Sequence, residues 1–197
     1  MSTSEAVREN ILGHGVAAAS AHGLKSLSLG EMARELALPK SRLFGIFPDN
    51  NALQLAVLDH AAILFGREVI DAVPATPQGE ARISALFTKW LNWSRSPRLN
   101  RGCPFVHASA EGDDLPAPVK ARLTGILDQW TDVLRQSVTD AKTSGAMHEK
   151  VDPEQFVFEL YGLYLSHHFW HWSMKDANAR AKTMKAFEHL LGSARQR

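Results

Sequence analysis

Lys40, Ser41 and Arg42 place two positive charges and a hydroxyl group in three successive residues. An arginine can donate two parallel hydrogen bonds to the edge of a guanine, and lysine and serine donate to phosphate oxygens. Arg42 is therefore a candidate for a DNA base contact, and a solvated helix residue is the alternative. Pro39 directly precedes the triplet and is favourable in the first turn of a helix. We therefore expect these side chains at the start of a helix.

Two histidines could do a different chemistry. His167 and His171 are four residues apart, so on a helix they share one face, where such a pair can hold a metal ion. The third ligand would have to come from His107, His148 or His189. We favour the alternative, in which the pair lies on a helix that packs against a second subunit. Protonation of the histidines near pH 6 would then weaken the dimer.

Cys103 is the single cysteine of the chain, so an intramolecular disulfide is impossible. This composition indicates a reducing compartment, and we expect a cytoplasmic protein. Cys103 lies between Gly102 and Pro104 at a predicted helix start, where a thiol can acquire a lowered pKa and act as a sensor. A small buried packing residue is the alternative that we favour.

Motifs of the common enzyme classes do not occur in the sequence. It contains no G-x-S-x-G turn, no glycine-rich phosphate loop and no complete metal motif. Glu111, Asp113 and Asp114 form an acidic cluster, but prolines follow it and we expect a solvated loop. We therefore predict neither an enzyme nor a cofactor. The polar N-terminus is unlike a secretory signal, and no apolar run could span a bilayer, so no membrane partner is expected.

Composition and periodicity predict the elements that position these residues. The 197 residues, 45% hydrophobic and 22% charged, suit one large or two small globular domains, and a net charge of +1 favours no particular partner. Helical periodicity runs through almost the whole chain, without a convincing alternating strand. The predicted fold class is all-α.

Two short amphipathic segments flank Pro39. Ser28 and Glu31 have the S-x-x-E spacing of a capping box, which starts the first segment, and the second starts near Lys40. Helices this short are unstable alone, so they need the support of a longer helix, predicted from about residue 5 to 21. Such a pair forms a helix-turn-helix, whose second helix can enter the major groove of DNA.

The chain is predicted to form two domains. Residues 1–48 would be a three-helix, helix-turn-helix DNA-binding domain, and residues 49–197 a helical effector-binding and dimerisation domain. A helix over 49–70, capped by Asp49, would connect them. The segment Ala72–Ala81 contains Pro74, Pro77 and Gly79 and is the best candidate for a linker.

From Ile11 to about Leu58 the sequence resembles the N-terminal domain of TetR-family transcriptional regulators. The segments GCPFVHASAEGDD and DPEQFVFELYGLYL resemble ligand-binding domains in one branch of that family. The N-terminal residues that carry the resemblance are Ile11-Leu12, Gly23-Leu24, Ser28, Met32-Ala33, Leu38, Leu43-Phe44, Phe47-Pro48 and Leu53.

This resemblance implies an all-α homodimer in which a small molecule in the C-terminal domain controls operator binding. Repression is favoured over activation because a dimer on an operator blocks polymerase without any further contact. The implied DNA contacts are Lys25, Ser26, Ser28, Lys40, Ser41, Arg42, Phe44 and Asn50.

The sequence departs from the family pattern at four positions of the presumed DNA reader. Ala37 replaces a common glycine, and a left-handed backbone there would cost alanine about 1 kcal/mol. Phe44 replaces a tyrosine that reaches phosphate, Gly45 a polar contact and Asn50 a lysine. Five cations offset five acids in residues 1–50, so we expect a weak phosphate grip. A binding protein of the same fold that has lost DNA recognition is the alternative function.

The C-terminal half is rich in large rings, each of which could also be a core residue. Together they predict a pocket for a neutral or weakly polar, flat or aliphatic effector. Its predicted lining is Phe87, Trp90, Trp93, Cys103, Phe105, Trp130, Tyr161 and Tyr164. The resemblance also implies that the last two long helices pair with those of a second subunit. The interface candidates are His167, His168, His171, Phe187, Leu190 and Leu191.

Overall fold

Nine α-helices make up most of what the computed structural model describes, residues 3–74 and 79–195. Within these ranges β structure is limited to an isolated antiparallel bridge between Met147 and Arg195. The all-α prediction is confirmed. The helices are α1 (Thr3–His22), α2 (Leu29–Glu35), α3 (Lys40–Ile46), α4 (Asn50–Phe65), α5 (Glu80–Trp93), α6 (Pro104–Glu111), α7 (Ala117–Thr143), α8 (Pro153–His168) and α9 (Ala179–Ala194).

Three shorter helical segments extend or connect these helices. A π-helical turn over Gly66–Ile70 continues α4, and another over Phe169–Ser173 continues α8. A 3₁₀ turn over Gly112–Asp114 follows α6. The long helix predicted over 49–70 is therefore an α-helix to Phe65 with a wider π-helical end. None of the helices in the described ranges is both long and apolar enough to cross a bilayer.

The predicted helix caps are observed at several boundaries. The Ser28 hydroxyl oxygen accepts a hydrogen bond from the Glu31 amide at 3.1 Å, which starts α2. Asp49 accepts from the Ala52 amide at 2.8 Å, which caps α4. Gly23 has a φ of +80°, as expected for the residue that ends α1. Local sequence signals thus set where these helices begin and end.

The first of two compact units comprises Met1–Phe65 and Arg95–Leu127. In this unit α1 packs against both α4 and α6. Leu29, Met32 and Leu43 are fully buried, so α2 and α3 are held by the unit's core rather than by their own helix propensity.

The second unit comprises Gly66–Ser94 and Asp128–Arg197. Here α8 packs against α9, and α5 contributes large buried aromatic residues to the core. Arg195 at the end of α9 donates two hydrogen bonds to the Glu80 carboxylate at the start of α5, at 2.6 and 2.9 Å. This ion pair holds the pKa of Glu80 below its ordinary value.

The two compact units do not follow the domain boundary predicted after residue 48. The first unit takes in α4 and a later segment, Arg95–Leu127, in addition to the three N-terminal helices. Division of the chain by function, with a DNA-binding part over 1–48, stays a prediction. Of the predicted linker, residues 75–78 lie outside the described residues, and α5 begins at Glu80.

Candidate functional site

Helix α3 has one buried and one exposed side. Leu43 and the following Phe47 are buried, so they anchor the helix. Phe44 is 55% exposed, which is unusual for a large aromatic side chain. The side chains that the sequence analysis assigned to DNA on this helix are all exposed: Lys40, Ser41, Arg42 and Phe44.

The turn between α2 and α3 contains a left-handed alanine, Ala37. Ala37 has a φ of +50°, a region that favours glycine because a Cβ crowds the backbone there. The amide of Leu38 donates to the carbonyl of Ala33 at 2.9 Å and closes the turn. The turn is tight, and its geometry requires backbone strain at one residue, Ala37.

The other predicted DNA residues have roles within the chain. The Asn50 side-chain oxygen accepts from the Leu29 amide at 2.9 Å, which ties the start of α4 to the start of α2. Ser26 donates to the Gly23 carbonyl at 2.7 Å, and Ser28 is the cap of α2. Asn50, Ser26 and Ser28 therefore shape the helix-turn-helix, and their assignment to DNA stays a prediction.

The cations near the helix-turn-helix differ in what surrounds them. Lys25 forms an ion pair with Asp114 at 2.8 Å, and Arg34 lies 3.7 Å from Glu31. The guanidinium of Arg8 lies 5.8 Å from the centre of the Phe47 ring. By contrast, α3 carries two exposed cations and no acid within its own length. Positive charge is thus concentrated on α3.

A clamp that local sequence reasoning missed joins α6 to the turn that follows α1. The Glu111 carboxylate accepts hydrogen bonds from the amides of Leu24 and Lys25, both at 3.0 Å. Gly23 gives this carboxylate access, because a Cβ on residue 23 would lie 2.2 Å from a Glu111 oxygen. The acidic cluster around Glu111 was expected to be solvated, and that expectation is wrong for Glu111.

The other two acids of the cluster, Asp113 and Asp114, also form ion pairs. Asp114 pairs with Lys25, and Asp113 pairs with Lys120, which lowers the pKa of the Asp113 carboxyl. The partners of Glu111 and Asp114 lie more than 80 residues away in the sequence. Only the tertiary fold brings them together, so no local pattern could have identified the clamp.

His107 lies one helical turn before Glu111 on α6. Burial lowers the pKa of His107, and the nearby positive charge of Arg101 lowers it further. The negative charge of Glu111 acts in the opposite direction, but burial has the larger effect. His107 is therefore predominantly neutral at neutral pH in the folded protein.

The predicted effector-binding rings of the second unit pack tightly on one another. Trp90 stacks face to face on Tyr164, with ring centres 4.0 Å apart and an angle of 12°. The rings of Trp130 and Tyr161 meet Trp90 edge to face at 5.1 and 4.9 Å. No ligand fits between Trp90 and Tyr164 at this separation, so an effector would lie at the margin of the cluster or displace a ring.

The remaining predicted lining residues divide between the two units. Phe87 packs on Phe187 with ring centres 4.5 Å apart, and Trp93 is buried in the same unit. Cys103 and Phe105 belong to the first unit, where Phe105 meets Phe65 edge to face at 5.8 Å. Cys103 is buried at the N-cap position of α6, which agrees with a packing role. The structure therefore does not place all eight predicted lining residues in one unit.

The predicted dimer-interface residues are mostly core residues. Phe187 and Leu191 of α9, which packs against α8, are buried within the single chain, and His167 and His168 are buried as well. These four side chains contribute to the core of the single chain, and their assignment to a dimer interface stays a prediction. His171 and Leu190 are partly exposed.

An exposed apolar stripe on α8 was missed in the sequence analysis. Phe158 is 74% exposed, Leu165 43% and Phe169 51%, and with Gly162 their spacing of four, three and four residues puts them on one helix face. A groove of about 380 Å³ lies beside the stripe, between α7 and α8. The groove is lined by Thr131, Arg135, Glu154, Val157, Phe158, Tyr161, Gly162 and Leu165. The helical spacing of the stripe was the signal that could have found it.

The histidine pair does not form a metal site with a third ligand in the described part of the chain. His167 and His171 stack with ring centres 5.4 Å apart and an angle of 17°. Within 3–74 and 79–195, no three His, Cys, Asp or Glu side chains are grouped so that they could hold a metal ion. His148, one of the candidate third ligands, accepts a hydrogen bond from the Lys150 amide.

Comparison with known protein families gives one match. Residues 79–187, more than half of the chain, match the family model described as the tetracyclin repressor-like C-terminal domain. None of the curated proteins compared with the chain gives a significant match.

Solved structures with the same fold include many transcriptional regulators. A TetR-family regulator from Cytophaga hutchinsonii has a TM-score of 0.86 at 17% identity, covering 100% of this chain and 98% of its own. A TetR regulator from Chloroflexus aurantiacus J-10-FL has a TM-score of 0.85 at 19% identity, covering 98% and 96%. The regulator AibR, crystallised with isovaleryl coenzyme A and operator DNA, has a TM-score of 0.71 at 18% identity, covering 94% and 96%. At these identities the likeness shows the fold.

Proposed function

Because the chain belongs to the TetR-like family, we propose that it is a homodimeric transcriptional repressor whose α3 helices read a palindromic operator. A small, mostly apolar effector bound in the second unit would release the protein from DNA. The observation that carries the proposal is the exposed side of α3, where Lys40, Ser41 and Arg42 are presented while Leu43 and Phe47 hold the helix in place.

The arrangement of α3 suits a duplex groove. An α-helix with its side chains is about 10–12 Å across, and the major groove is about 12 Å wide, so the exposed side of α3 can enter it. Two cations without a neighbouring acid on the helix complement the charge of the phosphates. AibR, which shares the fold, is bound to operator DNA in its crystal structure.

Selection of bound duplexes from random DNA tests whether the protein recognises a DNA sequence. The purified protein should enrich a short inverted repeat, and Arg42→Ala should lower its affinity and relax the preference at one base pair in each half-site. Lys150→Ala is a matched control, because Lys150 is an exposed cation far from α3 in the sequence. Loss of binding in the control but not in Arg42→Ala would contradict the proposal.

The salt dependence of that binding measures how many phosphate groups the protein contacts. If Lys40 of each subunit contacts a phosphate while Arg42 reads a base, two phosphate contacts give a slope of log affinity against log salt of about −2. A slope near −8 would show that further cations contact the backbone and would refute a weak phosphate grip.

The exposed stripe on α8 supports a homodimer. Phe158, Leu165 and Phe169 form an apolar surface beside a groove, and such surfaces are typically covered by another protein chain. A second copy is the occupant that we propose, because a palindromic operator requires a two-fold symmetric reader. The Arg135–Glu154 ion pair, at 3.3 Å, lies in the same groove and offers a polar rim.

Sedimentation velocity tests the dimer. Leu165→Glu should shift the protein from dimer to monomer, because a buried unpaired carboxylate opposes association. Ile63→Glu is the matched control, since Ile63 is a comparably exposed aliphatic residue of the first unit, 51% against 43% for Leu165. A Leu165→Glu protein that remains dimeric at micromolar concentration would contradict this interface.

The effector is proposed to bind at the margin of the aromatic cluster formed by Trp90, Trp130, Tyr161 and Tyr164. Trp90, Trp130 and Tyr164 are buried, so a flat or aliphatic ligand would meet the cluster at Tyr161 or would displace a ring. Tyr161 is partly exposed and lines the groove, which gives the cluster a point of access. A panel of neutral and anionic apolar compounds, scored by release of the selected duplex, should yield neutral compounds whose effect is reduced in Tyr161→Ala.

A small-molecule-binding protein that no longer reads DNA is the second candidate function. Phe44, Gly45 and Asn50 favour it, because none of them provides the phosphate contact that the family resemblance implies at its position. If a folded, dimeric protein enriches no duplex even at low salt, this second function is the better description.

A further inference from the structure

Phe44 is the one exposed large hydrophobic side chain that the described part of the chain presents from the helix-turn-helix. Its exposure of 55% contrasts with Leu43 and Phe47 on either side, which are almost completely buried. Phe44 therefore contributes little to the core, and an exposed aromatic ring at this place needs another explanation.

The surroundings of Phe44 leave its ring accessible. Lys40 lies one helical turn earlier and is exposed. Residue 45 is glycine, and apart from its two chain neighbours and the nearby backbone of α3, no atom of the described residues lies within 4 Å of where its Cβ would be. A surface that approaches α3 can therefore reach the Phe44 ring without obstruction from its neighbour.

The chemistry of the Phe44 ring limits the groups of DNA that it can recognise. Phenylalanine has no hydrogen-bonding group, so it cannot replace the hydroxyl of a tyrosine at a phosphate. In the major groove the base edges are polar, except for the C5-methyl group of thymine, which is read by apolar contact. Lys40 and Arg42 would hold the phosphates and a guanine near this ring.

We propose that Phe44 is a specificity-determining residue that recognises the C5-methyl group of one thymine in each half-site. The inference rests on the proposed function, because it requires that α3 enters the major groove. The change of tyrosine to phenylalanine at this position then exchanges a phosphate contact, which carries no sequence information, for a contact that does.

Replacing single thymines by deoxyuridine in a selected duplex removes only the methyl group and tests the contact directly. Affinities are measured by fluorescence anisotropy for the wild-type protein, Phe44→Ala and Phe44→Tyr. Phe44→Tyr keeps the ring and serves as the matched control, and both variants should fold because residue 44 is exposed. Deoxyuridine at a thymine outside the half-sites controls for the duplex.

One thymine per half-site should be sensitive. Losing one buried methyl group should weaken wild-type binding about fourfold, and about fifteenfold when both half-sites are changed. Phe44→Tyr should show the same loss, and Phe44→Ala should bind the thymine and deoxyuridine duplexes equally.

Two results would overturn the proposal. A duplex in which every thymine can be replaced without loss would show that no methyl group is read. A loss that persists in Phe44→Ala would assign the methyl contact to another residue. If no duplex is enriched at all, the proposed DNA-reading function fails together with this inference, a result distinct from both.

Discussion

Ala37→Gly should stabilise the protein, although most glycine substitutions destabilise. Ala37 has a φ of +50°, and a left-handed backbone costs an L-residue with a Cβ about 1–2 kcal/mol. Glycine is free of that strain but loses more conformational entropy on folding, about 0.5–1 kcal/mol. The net gain is about 0.5–1 kcal/mol. For a chain of this length, that raises the melting temperature by about 1–4 °C, measurable by thermal denaturation followed by circular dichroism.

Ala121→Gly is the matched control for this prediction. Ala121 is an exposed alanine inside α7, so glycine there relieves no strain and should lower stability by about 0.5–1 kcal/mol. Opposite signs for the two alanine-to-glycine changes would identify the left-handed backbone as the cause. If Ala37→Gly destabilises the protein as much as Ala121→Gly, the reasoning about the turn is refuted.

Three further predictions address the clamp, the buried histidine and the phosphate grip. Glu111→Ala should lower the free energy of unfolding by about 1–2 kcal/mol and the melting temperature by about 3–6 °C, because two backbone amides lose their acceptor; an unchanged melting temperature would contradict this. Since burial lowers the pKa of His107 below 6.5, the unfolded chain binds the proton first as the pH falls. Urea denaturation should therefore show a loss of stability from pH 7.5 to 5.5 that is smaller in His107→Asn, and equal losses would refute it. Lys40→Ala should make the salt slope of operator binding shallower by about 2, one for each subunit, whereas an unchanged slope would exclude a phosphate contact.

Helix boundaries could be predicted from the sequence because the signals that set them are local. The serine at position 28 caps the residue three positions later, and Gly23 ends α1 with the positive φ that its lack of a Cβ allows. A left-handed backbone at residue 37 was raised from the sequence only as a condition, and the structure meets that condition with a φ of +50°. Each of these features depends on a few adjacent residues.

Contacts between distant residues could not be predicted in this way. The Glu111 carboxylate accepts a hydrogen bond from the Leu24 amide, which lies 87 residues away in the sequence. The residues next to Glu111 in the sequence indicated only a solvated acidic loop. Phe187 and Leu191 are buried within the chain, which the sequence did not indicate because helical periodicity identifies an apolar face without showing what covers it. The helical spacing of Phe158 and Leu165 places them on one face of α8, but the spacing alone does not show that this face is exposed rather than buried in the core.

The roles of the residues around the helix-turn-helix predict which contacts would give this protein its affinity for DNA and which would give its sequence specificity. Asn50 and Ser28 fix the helices, and Lys25 is paired with Asp114, so these residues are committed to the fold. If the protein reads DNA as proposed, α3 would make most of the contacts, with few to phosphates and at least two side chains, Arg42 and Phe44, that can read bases. Phosphate binding is sequence-independent and lost in salt, whereas a methyl contact is insensitive to salt. The ratio of operator affinity to random-DNA affinity should therefore stay high as the salt concentration rises, and a ratio that collapses in parallel with affinity would show that phosphates carry the recognition.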